Sequence, residues 1–281
     1  MKSMISLGAA AFSIGLLSVG AHADQAVDPE STAERIRKSI VDTFPNVPVE
    51  EFSNGVYAID KTARAEWEMI NEFPPYEPGI EAGQALWETA FANGSGYADC
   101  FTGGPGVVNE YPRWDEERNT VWTLPLAIND CRERNGEKPL PYGRGAIAEL
   151  LAYMAYESRG KITDVRVPSS DGAKAAYQAG WEFFTAPIGQ LGMSCMHCHV
   201  QYAGRQLRSD IISPALGHST GWPAYRPGWG ELGTLHRRFA GCNEMTRARV
   251  YPAQSEVYRN LEYFLTHLSN GLPYNGPSSR K

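Results

Sequence analysis

Residues 193–200 read MSCMHCHV, two cysteines and two histidines within eight positions. Such a cluster admits three chemistries: a zinc site, a dithiol–disulfide couple, or covalent attachment of haem. Zinc takes four ligands. Cys195, Cys198 and either His197 or His199 supply three, and no second Cys or His pair sits at finger spacing. A thioredoxin-like C-x-x-C closes a strand in a βαβ setting, and the preceding YQAGWEFFTAPIGQLGMSC does not read that way. The remaining pattern is C-x-x-C-H. Cys195 and Cys198, three residues apart on a helical turn, can add to the two vinyl groups of one haem, and His199 then projects onto the iron as proximal ligand. The expectation is one covalently bound haem c. His197 has no role in this reading.

An odd thiol accompanies the motif. The cysteines are Cys100, Cys131, Cys195, Cys198 and Cys242; five is odd, so at least one escapes disulfide pairing. The chain opens MKSMISLGAAAFSIGLLSVGAHADQA. Lys2 precedes an apolar run to about Val19, and Ala21-His22-Ala23 forms a small-x-small site. This is the pattern of an export signal, residues 1–23, cleaved after Ala23. The run is short for a membrane span, and no later segment approaches one. The expectation is an exported, periplasmic, soluble protein, in a compartment where free thiols are unusual. The whole-chain formal charge is −6, and the leader holds one lysine and no acid, so the mature chain carries −7. That argues against nucleic-acid or anionic-membrane binding.

The elements that must position these groups read as helices. Ser255–Leu268 places Val257, Leu261, Phe264, Leu265 and Leu268 at steps of three and four, an apolar stripe that could pack on a haem-bearing helix. Residues 171–185 also read as helix, and nothing resembles a run of alternating strands. The fold class is therefore all-α (mainly). The chain also repeats itself. LPLAINDCRERNGEKPLPYGRGAIAELLAYM aligns with LHRRFAGCNEMTRARVYPAQSEVYRNLEYFL, so that Cys131 matches Cys242, Pro112 matches Pro223 and Pro141 matches Pro252. Upstream, EAGQALWETAFANGSGYADC parallels QAGWEFFTAPIGQLGMSCMHC, which brings Cys100 near Cys198. A degenerate duplication gives two cytochrome c-like domains, a haem-less one at 77–160 and a haem-binding one at 173–281. A polar linker at 161–172 joins them, and an irregular N-terminal extension at 24–76 precedes them. In the haem-less copy the two matched positions would close on each other without the cofactor, so Cys100 is expected to bond Cys131. Cys242 is left over.

A second iron ligand is also needed. Met193, Met196, Met245, His218, His236 and His267 are candidates, but Met193 and Met196 lie too near the attachment turn to cross the haem. Cys242 is the better candidate, since its thiolate would bind ferric iron. A buried free thiol and an intermolecular disulfide are the alternatives. Arg238 stands four residues before Cys242, on the same face if the stretch is helical. A guanidinium there lowers a thiol pKa and can grip an oxyanion. Arg237 reads as a solvated surface charge.

A leader, two cytochrome c-like halves, one C-x-x-C-H in the second, and RRFAGC followed by Asn243 make the chain resemble the family of A subunits of the thiosulfate-oxidising Sox system, part of L-cysteine S-thiosulfotransferase. Many members carry haem in both halves; here Cys100 is followed by Phe101-Thr102, as in a single-haem form. The resemblance implies that Cys195 and Cys198 hold the haem, with His199 proximal. It implies Cys242 as distal ligand and catalytic sulfur, and Arg238 as the thiosulfate-binding residue. It also implies a heterodimer with a small c-type cytochrome (the X subunit, SoxX). The acceptor would be a cysteine on the C-terminal arm of the carrier's Y subunit (SoxY), with an electron-accepting cytochrome c downstream. The alternative of a different class is a plain electron-transfer cytochrome in which Cys242 only tunes the potential.

Overall fold

The computed structural model describes residues 27–281; the expected export signal, residues 1–23, lies outside them. In chain order the elements are α1 (Pro29–Thr43), a 3-10 segment (Val49–Ala58), α2 (Lys61–Ile70), α3 (Glu77–Glu88) and α4 (Tyr97–Cys100). There follow β1 (Arg113–Asp115), β2 (Thr120–Trp122), α5 (Leu124–Arg134), α6 (Ala146–Glu157), α7 (Asp171–Thr185) and a π-helical turn (His197–Gln201). The remainder is β3 (Gln206–Leu207), β4 (Asp210–Ile211), β5 (Ala224–Arg226), β6 (Glu231–Gly233), α8 (Leu235–Met245), α9 (Glu256–Leu268) and β7 (Ser278–Ser279). The protein is mainly α-helical, as the patterning implied. The strands are short ribbons: β1–β2, β3–β4 and β5–β6 are antiparallel, and β7 pairs parallel with β5.

The internal repeat is visible element by element. The β5–β6 ribbon and α8 each lie 111 residues after β1–β2 and α5, and α9 ends 111 residues after α6. In both halves a glycine lets two helices cross closely. A Cβ on Gly83 of α3 would stand 2.0 Å from the Glu149 carbonyl oxygen of α6, and one on Gly180 of α7 would stand 2.1 Å from that of Asn260 on α9. No side chain fits either crossing, so glycine is required by close approach. Tyr153 and Phe264 complete the matched contacts. One core gathers Phe91, Tyr97, Ile128, Ile147, Leu150 and Met154 in the first half. A larger core gathers Phe184, Leu261, Phe264, Leu265 and Leu268 in the second.

The segment expected to be an irregular extension is largely helical. Asp28 caps α1 by accepting from the Ser31 N–H at 2.8 Å, Pro29 opens the helix, and Thr32, Ala33, Ile36 and Ile40 form its buried stripe. That stripe packs into the core of the second half. Arg37 Nε donates to the Leu268 carbonyl at 2.7 Å, and His267 Nε2 lies 3.1 Å from Glu30 Oε1. The periodicity is sparse and its partner is distant in sequence, which is why it escapes a reading for repeats. The stretch between the halves is fastened rather than free: the Thr163 N–H donates to the Leu272 carbonyl, and the Tyr274 N–H to that of Lys161.

Candidate functional site

The attachment turn is built by its own short sequence. Ser194 Oγ accepts from the His197 N–H at 3.1 Å, and the Ser194 N–H donates back to His197 Nδ1 at 3.0 Å. This reciprocal pair is a capping box with histidine in the place of Glu or Gln. His197, which spacing alone left idle, thus caps the turn that carries Cys195, Cys198 and His199. The local signal was the Ser three residues before a side chain able to accept.

His199 donates from Nδ1 to the Ser213 carbonyl at 2.8 Å. A carbonyl can only accept, so the neutral ring keeps its proton on Nδ1 and leaves the Nε2 lone pair free. Burial pushes its pKa down to about 4, and the charge of Arg238 acts in the same direction. The imidazole is therefore neutral at pH 7, the form that ligates iron. His218 packs on it with ring centroids 4.4 Å apart, and the buried Nδ1 of His218 has no partner. Cys195 and Cys198 are free, half-buried thiols. Burial raises both, Cys195 to about 12, and the charge of Cys242 adds to the effect on each. Among the described residues no group of three or more His, Cys, Asp or Glu side chains is placed to hold a metal ion.

The opposing group comes from α8. Thr234 precedes the helix in extended backbone, and Leu235, His236 and Phe239 bury one side of it. Cys242 is free and half-buried near its C-terminal end. Arg238 lies one turn earlier, half-buried, and makes no ion pair among the described residues. Arg237, by contrast, is tied at 3.0 Å to Glu231 and stacks 4.3 Å over Trp229. The mutual electrostatic effects put Cys195, Cys198, His199, Arg238 and Cys242 in one region, although more than forty residues of sequence separate Cys195 from Cys242. A second guanidinium joins them. Burial lowers the Arg226 pKa to about 10, Arg238 lowers it further, and Cys242 opposes the fall. Arg226 went unnoticed in the sequence because it sits on a β-ribbon opposite α8. The repeat held a signal: 111 residues earlier its counterpart is Asp115, and that of Arg238 is Ala127. At these two positions only the second half carries arginine.

In the first half the Cys100 and Cys131 sulfurs are bonded, with Cα atoms 5.9 Å apart. The residues of the second half fit a haem c. Two thiols share a helical turn, an imidazole offers an unprotonated Nε2, and a third thiol comes from a separate helix.

The chain is similar to known proteins along most of its length. The family model described as SoxA/TsdA, cytochrome c domain, matches residues 82–162, in the first half. The chain is 56% identical over 257 residues to the L-cysteine S-thiosulfotransferase subunit SoxA of Allochromatium vinosum, covering 91% of this chain and 92% of that protein. It is 55% identical over 238 residues to the subunit of the same name from Chlorobaculum tepidum, covering 85% and 83%. Among solved structures, SoxXA from P. pantotrophus superposes with a TM-score of 0.67 at 29% identity, covering 74% of this chain and 79% of that one.

Proposed function

The chain belongs to the SoxA family of L-cysteine S-thiosulfotransferase subunits, and we propose that its second half conjugates thiosulfate to a cysteine thiol of a carrier protein of the SoxY type, with Cys242 as the catalytic sulfur. The single observation that carries this reading is the placement of a free Cys242 thiol, with Arg238 one turn away, against the Cys195–Cys198–His199 turn. Cys195 and Cys198 would hold one haem c, and His199 and Cys242 would bind its iron. When bound, the haem supplies one-electron acceptance.

The overall chemistry joins a thiosulfate dianion to a thiol as a disulfide, releasing one proton and two electrons. Arg238 presents a charged fork that suits the sulfonate oxygens, and Arg226 adds a second positive charge at the same sulfur. Both lower the cost of bringing a dianion to a thiolate. The Cys242 thiolate forms a bond to the sulfane sulfur as two electrons leave. The carrier thiolate then attacks that same sulfur, and Cys242 departs as thiolate. A partner of the SoxX type, a small c-type cytochrome, would take the second electron and pass both to an electron-accepting cytochrome c. The first half, with its Cys100–Cys131 bond and no C-x-x-C-H, is assigned no part in the electron path. The sequence pattern of residues 1–23 supports export to the periplasm with cleavage after Ala23; among the described residues no helix is long and apolar enough to cross a membrane.

Replacing Cys242 by Met tests the reading. Haem should stay attached through Cys195 and Cys198, and Met remains a competent iron ligand. Met cannot form a mixed disulfide, so carrier-dependent thiosulfate conjugation should vanish. Near-normal conjugation by that variant would instead favour electron transfer with Cys242 as a tuning ligand.

A further inference from the structure

The two halves hold their equivalent helices by different means. α5 carries Cys131 and is tied to Cys100 by a covalent bond. α8 carries Cys242 as a free thiol. Its residues His236, Phe239 and Asn243, spaced by three and four, are all buried and face α9, while Arg238 and Cys242 occupy an adjoining face.

At the first turn of α8 the Gln254 N–H donates to His236 Nδ1 at 2.9 Å. Because Nδ1 accepts, the ring proton sits on Nε2, which lies 2.7 Å from Glu262 Oε2 on α9, off the axis of a hydrogen bond. Gln254 is held in turn by the hydroxyl of Thr123, the residue that caps α5, at 2.6 Å. At the last turn Asn243 Nδ2 donates to the Tyr258 hydroxyl on α9 at 3.2 Å and to the Arg249 carbonyl at 2.8 Å. Polar contacts thus fasten α8 to α9 at both ends.

The repeat shows that the fold does not require the contact at the first turn; at the last turn Arg132, in the place of Asn243, keeps one of the two bonds by donating to the Lys138 carbonyl at 2.7 Å. In the first half, Pro125 and Leu151 stand where His236 and Glu262 stand, and Arg132 and Ile147 stand where Asn243 and Tyr258 stand. Those positions pack well, with Ile147 fully buried and Leu151 nearly so. A buried imidazole–carboxylate contact seldom stabilises more than apolar residues of similar volume. Stability alone therefore gives no reason for the His236–Glu262 pair.

We propose that His236–Glu262 and Asn243–Tyr258 form a noncovalent clamp that positions Cys242 and Arg238, doing for α8 what the disulfide does for α5. A disulfide cannot serve α8, because the Cys242 sulfur must stay free for bond exchange. This inference rests on the assignment of Cys242 as distal ligand and catalytic sulfur.

The test uses the full holoprotein and the double variant His236→Pro/Glu262→Leu, which installs the pair found in the first half. Cys242→Met serves as reference. The double variant should fold with haem attached and a thermal midpoint close to the parent. Its ferric haem spectrum and reduction potential should move toward those of Cys242→Met, whereas the single variant Glu262→Gln, which keeps an acceptor for the imidazole, should retain the parental values. A folded double variant with parental spectrum and potential would overturn the clamp, provided Cys242→Met itself shifts both. If Cys242→Met shifts neither, the assignment of Cys242 fails first and the clamp with it. Should the double variant not fold, His236→Gln, which is polar but too differently shaped to meet Gln254 and Glu262 at once, carries the same comparison.

Discussion

Removing the Cys100–Cys131 bond should weaken the protein by a predictable amount without touching its chemistry. The perturbation is Cys100→Ala/Cys131→Ala. The bond closes a separation of 31 residues. In the chain-entropy account such a loop confines the unfolded chain by about 12 cal/mol/K, or about 3.7 kcal/mol at 25 °C. Cys131 is fully buried against Ile128 and Leu150, so deleting its sulfur adds a packing loss on the order of 1 kcal/mol. The total is roughly 4–5 kcal/mol. It should appear as a lower midpoint in urea unfolding followed by circular dichroism. A control in which the parent protein is reduced should show the entropic part alone. Haem content should be unchanged at 25 °C, because the attachment turn and α8 lie in the other half. Conjugation should persist wherever the variant remains folded. A loss below about 1 kcal/mol would refute the loop-closure reasoning. Loss of haem from an otherwise folded variant would refute the view that the first half is a scaffold.

Gly180→Ala should destabilise by about 2 kcal/mol or more, since overpacking at the Asn260 carbonyl outweighs the gain of about 1 kcal/mol in helix propensity; Gly83→Ala should match it, and thermal midpoints near the parent's would disprove the shared crossing. Arg238→Lys should lower kcat/KM for thiosulfate about tenfold, or ~1.4 kcal/mol, because the charge is kept and the fork is lost; steady-state assays showing Arg238→Lys equal to the parent would contradict the fork. Burial holds the His267 pKa below its ordinary value. The unfolded chain therefore binds the proton more readily, so His267 favours the fold above about pH 6.5 and that contribution is lost as the pH falls below it. Urea midpoints at pH 7 and pH 5 should differ less in His267→Gln than in the parent, and an unchanged difference would argue against this. His197→Ala should reduce the fraction of chains matured with haem, measured by mass spectrometry, while His197→Gln keeps the capping box; equal maturation of all three proteins would remove the role assigned to His197.

Much of the chemistry was legible without coordinates because it depends on short spacing. C-x-x-C-H places two sulfurs and an imidazole on one turn whatever surrounds it, and the four-residue step from Arg238 to Cys242 puts both on one face of any helix. The duplication was legible for a related reason: equivalent positions keep their offset along the chain, so Cys131 and Cys242 could be matched by counting. The helical stripe from Val257 to Leu268 follows from its period alone. Tertiary structure decided what lies far apart in sequence. It brought Arg226 from a β-ribbon to the sulfur of α8, and it packed α1, expected to be irregular, against α9. It also gave His197 an acceptor's work at the head of its turn, and it joined His236 to Glu262 and Asn243 to Tyr258. Each of these contacts depends on how two elements cross rather than on the period within either one. A helix crossing is set by where close approach is allowed, here at Gly83 and Gly180, where the absence of a Cβ lets one backbone rest on another.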